Sequence, residues 1–259
     1  MGLEVELKLA MSPQELLRLR RHPLLRSLAG GRRLRRLELR AAYFDTPDGR
    51  LAEQGLALRL RQEGRRIVQT LKAPALKAPA PGEGGLQRLE EQEHEVPAWR
   101  LDLGLVEDPA LASRLAELGG AEALVPLFET RIERRTLLVR LLESEIEVAF
   151  DEGEVVAGER RLPVCEAELE LNEGRPERLY QLALTLFEQI DFRIERRSKA
   201  ARGHSLLAPR RETPATAAPL ALSCRLPAGE ALGASAGNCL AHLVANGAAV
   251  LAGSRQLRA

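Results

Sequence analysis

EVELKLA, residues 4–10, sets two acids and a base in alternation with aliphatic residues. Successive side chains of a strand point to opposite faces. Glu4, Glu6 and Lys8 therefore share one face, and Val5, Leu7 and Leu9 share the other. One such strand alone would pass for the solvated face of an antiparallel sheet. Recurrence of the pattern decides the fold.

The pattern recurs down the chain. LALRLRQEGRRIVQTLKAP (56–74) reads as a hairpin turning at Glu63-Gly64. Arg59 and Arg61 share a face on its first arm, and Val68, Thr70 and Lys72 on its second. EQEHEV (91–96) aligns Glu91, Glu93 and Glu95. SEIEVAFDEGEVVAG (144–158) reads as a second hairpin, turning at Glu152-Gly153, with Glu145, Glu147, Ala149 and Asp151 on one face. CEAELELN (165–172) aligns Glu166, Glu168 and Glu170. RRLRRLELRAAYFDTPDG and FETRIERRTLLVR add further strands, and residues 73–87 form a loose loop. Helices fall between. Ser12, Pro13 and Glu15 open one with a capping box, and Pro23 breaks or restarts it. Asp108 and Pro109 start another, which stops at Gly119. RPERLYQLALTLFEQI (175–190) carries an apolar stripe at helical spacing.

A sheet packing its aliphatic faces on these helices must point its charged faces elsewhere. Flat exposure is one solution; closure into an antiparallel barrel with an ionic lumen is the other. Buried charge without partners is very costly, so such a lumen must be wet and take up ions. Carboxylates suit hard divalent cations, and arginine and lysine suit phosphate oxygens. Composition excludes other classes. Lys and Arg number 38 against 37 Asp and Glu, and aromatics are 3%, which argues against a nucleic-acid surface. No apolar run reaches membrane-spanning length, and no signal peptide is read. Cys165, Cys224 and Cys239 fit neither a disulfide framework nor a zinc spacing. No P-loop or H-E-x-x-H motif occurs, and the four histidines read as surface or structural. Tyr43, Phe44 and Trp99 read as packing residues.

EVELK matches E-x-E-x-K, and YFDTPDGRLAEQGLALRLR, QTLK, IEVAFDEGEVVAG, CEAELELNEG and SKAARG follow in order. Over residues 1 to about 205 this set resembles the CYTH family, the triphosphate tunnel metalloenzymes, in particular the bacterial inorganic triphosphatases. The resemblance implies an α+β fold: an eight-stranded antiparallel β-tunnel with flanking helices. It implies metal binding by Glu4, Glu6, Glu168 and Glu170, with Glu147 and Asp151 helping to hold a second metal or the attacking water. Lys8, Arg59, Arg61, Lys72, Arg134 and Lys199 match the bases that grip triphosphate, with Arg40 and Arg202 as further candidates and Glu93 as a further acid. Lys8, Lys72, Glu147 and Asp151 are the catalytic candidates, and Mg²⁺ or Mn²⁺ the implied cofactor.

The expected domains are the tunnel (1–205), a linker (206–229) and the start of a CHAD-like helical domain (230–259), since GEALGASAGNCLAHLVANGAAVLAG resembles the first CHAD helix. The expected reaction is metal-dependent hydrolysis of inorganic triphosphate to pyrophosphate and orthophosphate. Thiamine or nucleoside triphosphatases, class IV adenylyl cyclases and a non-catalytic polyphosphate-binding module are the alternatives. A cytoplasmic monomer is expected, with triphosphate or polyphosphate as partner and neither nucleic acid nor membrane.

Overall fold

The computed structural model describes residues 2–74, 86–207 and 215–251. The chain divides into two compact units, residues 1–76 with 87–209, and residues 77–86 with 210–259. Most of the expected loose loop, and part of the expected linker, lie outside the described residues.

The first unit is a closed barrel. Its strands are β1 (Gly2–Ala10), β2 (Arg35–Asp45), β3 (Ala57–Glu63), β4 (Arg66–Pro74), β5 (Gln87–Val96), β6 (Val125–Leu141), β7 (Ser144–Ala157) and β8 (Arg160–Glu173). They pair antiparallel in the order β5-β4-β3-β2-β6-β7-β8-β1, and β1 returns to pair with β5. Closure leaves no edge in this ring. A two-residue strand, β9 (Arg193–Ile194), pairs with Leu9 and Ala10 of β1.

Helices α1 (Pro13–Arg20), α2 (Pro23–Leu28), α3 (Arg50–Glu53), α4 (Pro109–Glu117) and α5 (Glu177–Phe187) lie outside the ring. Ser12 and Asp108 cap α1 and α4 as their sequences require, and Pro23 restarts the chain as α2. Val5, Leu7 and Leu9 of β1 are buried, as are Leu16 and Leu19 of α1 and Leu179, Leu182 and Leu186 of α5. Leu51, Leu111 and Leu115 of α3 and α4 cover Leu58 and Leu71 of the β3–β4 hairpin.

Helix α6 (Lys199–Leu207) is different. It packs on β6, β7 and β8 from the lumen side. Its Ala200 joins a cluster of Leu39, Tyr43, Phe128, Ile132, Val155 and Val164, all at lumen-facing positions of their strands. A Cβ on Gly203 would lie 2.1 Å from the Phe128 ring, so only glycine lets α6 sit this deep. One part of the barrel is thus filled by apolar side chains and a helix. α6 ends at Leu207, two residues beyond the expected end of the tunnel domain.

Two expectations fail here. The Glu152-Gly153 turn does not exist: β7 runs unbroken from Ser144 to Ala157, and the chain reverses at Leu142-Glu143 and at Gly158-Glu159 instead. Gly153 serves a different need, since a Cβ there would lie 2.0 Å from the Arg131 carbonyl oxygen. Trp99 does not pack inside; it is 41% exposed after β5.

In the second unit, helix α7 spans Ala228–Leu251. Asn246 accepts a hydrogen bond from Ala215 N and donates to Ala215 O, and Asn238 donates to Ala218 O. These bonds join Ala215 and Ala218, within the expected linker, to α7. Among the described residues no helix is long and apolar enough to cross a membrane.

Candidate active site in the barrel lumen

Strand register builds the site. On β1 and β8, Glu6 faces Glu170 and Lys8 faces Glu168; on β7 and β8, Glu147 faces Glu170. Glu6, Glu170 and Glu147 thus form one row of like charge across three adjacent strands, an arrangement that destabilises a sheet. Across the lumen, Ala57 of β3 faces Lys72 of β4, which faces Glu91 of β5; Arg59, Thr70 and Glu93 form the next row. These side chains line one cavity of about 380 Å³, together with Glu4, Arg61, Arg134, Asp151 and Lys199.

Most of the charges are paired. Lys72 Nζ lies 2.6 Å from Glu4 and 3.2 Å from Glu91, and Lys8 pairs with Glu6. Arg61 lies 3.2 Å from Glu93, and Arg59 lies 3.7 Å from Glu91 and Glu93. Arg134 grips Asp151 through two hydrogen bonds of 2.7 Å and also pairs with Glu168. Lys199 Nζ reaches Asp151 and Glu166 at 2.6 Å and Glu168 at 2.9 Å. Burial alone would raise the carboxyls of Asp151 and Glu168. The cations outweigh it: Arg134, then Lys199, holds Asp151 below the ordinary range, and Lys199, then Arg134, holds Glu168 well below it. The same acids hold Lys199 and Arg134 protonated despite burial.

Two acids stand apart. Glu147 and Glu170 have no ion-pair partner among the described residues, though both line the cavity. Burial pushes the Glu170 carboxyl up to about 7, helped by Glu4, Glu6 and Glu147 and opposed by Lys72. Two donors are also unspent: the Nε atoms of Arg59 and Arg61 are buried and make no hydrogen bond among the described residues.

The expected site residues divide as follows. Glu4, Glu6, Lys8, Arg59, Arg61, Lys72, Arg134, Glu147, Asp151, Glu168, Glu170 and Lys199 line the cavity, as does Glu93. Arg40 does not. It projects to the outer face, 63% exposed at its side chain, and pairs with Glu129. The β2 positions that face inward are Leu39, Ala41 and Tyr43. Arg202 does not line the cavity either; it is buried deeper in the plug, and its Nη2 bonds Glu166 at 2.7 and 2.8 Å. Glu166, fully buried between Arg202 and Lys199, was missing from the expected set. The alternation of CEAELE already placed it on the face of Glu168 and Glu170. Asp151, Glu166 and Glu168 bring ligand atoms within 4.8 Å of one another, but Lys199, Arg134 and Arg202 already occupy them.

Such a ring of strands around paired acids and bases defines a charged-lumen β-barrel. The chain belongs to the CYTH family: the CYTH domain matches residues 2–204. It is 34% identical over 207 residues to the inorganic triphosphatase of Haemophilus influenzae, a match covering 78% of this chain and 54% of that protein. The chain thus spans about half the length of that relative. A solved putative adenylyl cyclase from Hippeastrum, described as having a dominant triphosphatase activity, matches with a TM-score of 0.55. That match has 23% identity over 78% of this chain and 95% of the other, a likeness of fold.

Proposed function

We propose that the chain hydrolyses inorganic triphosphate to pyrophosphate and orthophosphate with the aid of Mg²⁺ or Mn²⁺. One observation carries this reading: a single cavity holds unsatisfied guanidinium donors on Arg59 and Arg61 beside unpaired carboxylates on Glu147 and Glu170. A slender polyanion satisfies the donors, and a hard cation satisfies the acids. The inorganic triphosphatase of Haemophilus influenzae supports the substrate class.

The donor set fits the metal. Glu4, Glu6, Glu147 and Glu170 offer carboxylate oxygens only, and burial, with the neighbouring acids, raises Glu170 to about 7. Asp151 and Glu168, proposed ligands on resemblance, are better suited to orienting Arg134 and Lys199, which already hold them. When bound, the metal neutralises phosphoryl charge and lowers the pKa of water. The chain's own bases do the positioning. Arg59, Arg61, Lys72, Arg134, Lys8 and Lys199 hold the phosphoryl oxygens in line. Glu147, which has no ion-pair partner among the described residues, would help hold the metal or accept a proton from the attacking water. Phosphate release with Mg²⁺ or Mn²⁺ should be fastest for triphosphate in a panel with pyrophosphate, ATP and thiamine triphosphate. Faster release from either organic triphosphate would overturn the inorganic reading.

Binding must exchange partners. As Lys72 turns from Glu4 and Lys8 from Glu6 to grip phosphate, those two carboxylates gain a cation. Metal and anion should therefore help each other by about 1–3 kcal/mol. Mg²⁺ plus triphosphate should raise the melting temperature by more than the sum of their separate shifts. Strictly additive shifts at saturation would mean that acids and bases do not share one site. A related expectation concerns Arg61, which sits beside Glu93 with a donor to spare. Arg61→Ala should raise KM for triphosphate and lower kcat, because a contact that tightens in the transition state affects both. A change in thermal stability alone would make Arg61 structural.

A further inference from the structure

β1 changes partner at Lys8. Up to Glu6 it pairs with β5, where Glu6 faces Gln87, the first residue of that strand. From Leu9 it pairs with β9 instead, where Leu9 faces Ile194. Lys8 sits at the seam between the two partners, and its carbonyl oxygen accepts from Glu195 N at 2.9 Å. Gln87 lines the cavity at this seam. It continues the acidic row of Glu147, Glu170 and Glu6 onto β5 with a neutral amide.

That amide spans the seam. Its Oε1 accepts from Lys8 Nζ at 3.1 Å, and its Nε2 donates to Arg196 O at 2.5 Å. Only this orientation suits both neighbours. Turned over, the amide would set its N–H groups against an ammonium and its oxygen against a carbonyl. Arg196 leads into α6, whose first turn is held by Ser198 Oγ accepting from Ala201 N at 3.1 Å, and whose first residue is Lys199. One uncharged side chain thus ties Lys8 to the segment that carries Lys199. The other partner of Lys8 is Glu6. A carboxylate holds an ammonium and cancels its charge; an amide oxygen holds it and leaves the charge for an anion. A lysine head on a flexible four-carbon stem has little order of its own once its ion pair is exchanged.

We propose that Gln87 is a positioning residue for the triphosphatase reaction: its amide keeps the Lys8 ammonium in place while Lys8 exchanges Glu6 for a phosphoryl oxygen. The assignment rests on the triphosphatase reading above and adds to that site a residue that carries no charge.

Gln87→Met keeps the length of the side chain and removes both bonds. It should lower kcat for triphosphate about tenfold, the scale of a hydrogen bond to a charged group. KM should change less, because Arg59, Arg61 and Lys72 still bind the anion, and the melting temperature should move little. Gln87→Glu keeps an oxygen for Lys8 but adds a second carboxylate against it, and should lower kcat further. In a Lys8→Met background Gln87→Met should cost nothing more. An undiminished loss in that background would overturn the proposal, as would an unaltered kcat in either Gln87 variant with an active wild type. Should the wild type not cleave triphosphate, the functional reading fails first. Calorimetric affinity for metal-free triphosphate then decides: weaker binding by Gln87→Met, absent in the Lys8→Met background, supports the tether, and equal binding overturns it.

Discussion

Glu170→Gln is expected to abolish triphosphate hydrolysis while making the metal-free protein more stable. The two effects have one cause. Glu170 sits between Glu6 and Glu147 in the row across β1, β8 and β7, and none of these acids cancels another's charge. Burial, and then repulsion from Glu4, Glu6 and Glu147, raises its carboxyl from 4.5 to about 7, so folding takes up a proton between those values. Stability contributed by this group therefore falls as pH rises through that window, and the penalty is complete above about 7. Removing the charge should raise the melting temperature at pH 8 and have little effect near pH 4.5. Activity should move the other way. Loss of even an outer-shell partner of a metal costs about 10–100-fold, and a direct ligand should cost at least as much. In the wild type, metal affinity should weaken as pH falls below 7, because proton and cation compete for one carboxylate. Titrating Mg²⁺ or Mn²⁺ by calorimetry at pH 6 and pH 8 checks this. Near-normal turnover in Glu170→Gln would remove Glu170 from the metal set, and a lower metal-free melting temperature at pH 8 would contradict the repulsion.

The resemblance implied the closed lumen that puts acids and bases in one place; the alternation that opens the chain only sorted the faces of β1, β3, β4, β5 and β8. It could not say which face of a strand turns inward. On β1 and β8 the apolar face is covered by helices, so charge goes to the lumen. On β2, and on β6 around Arg131 and Arg135, the outer face carries charge, and apolar residues turn in. Arg40 obeys the same period of two with the opposite sense, which is why it was misplaced. Gly153 misled for another reason: a glycine needed for close backbone approach has the same letter as one needed for a turn. The plug was hidden too. SKAARG displayed its charges, but nothing local told that Ala200 and Gly203 would seat the helix inside the barrel and bury Arg202 against Glu166.

Lys199→Met should be the most damaging single change to stability. Lys199 brings its one ammonium to Asp151, Glu166 and Glu168, at 2.6, 2.6 and 2.9 Å. Arg134 and Arg202 remain, but they then face three buried carboxylates with one positive charge fewer. Removing one partner from a buried ionic network leaves charge uncompensated and costs about 3–5 kcal/mol. For a domain of this size that corresponds to a melting temperature lower by about 10 °C. The pH dependence identifies the cause. In the wild type, Asp151 and Glu168 are held below their ordinary range, so the stability they contribute is present above that range and lost as pH falls through their folded values. Without Lys199 the same carboxyls should titrate higher. Protonation then relieves the variant earlier than the wild type, and the gap between their melting temperatures should narrow steadily from pH 8 toward pH 4. Lys199→Arg keeps the charge and should recover most of the stability. Its longer, planar head cannot reproduce a single point among three acids, so recovery of turnover should lag behind. A constant gap across that pH range would trace the loss to packing of α6 rather than to the carboxylates, and a melting temperature equal to wild type would mean that the network carries no net stability.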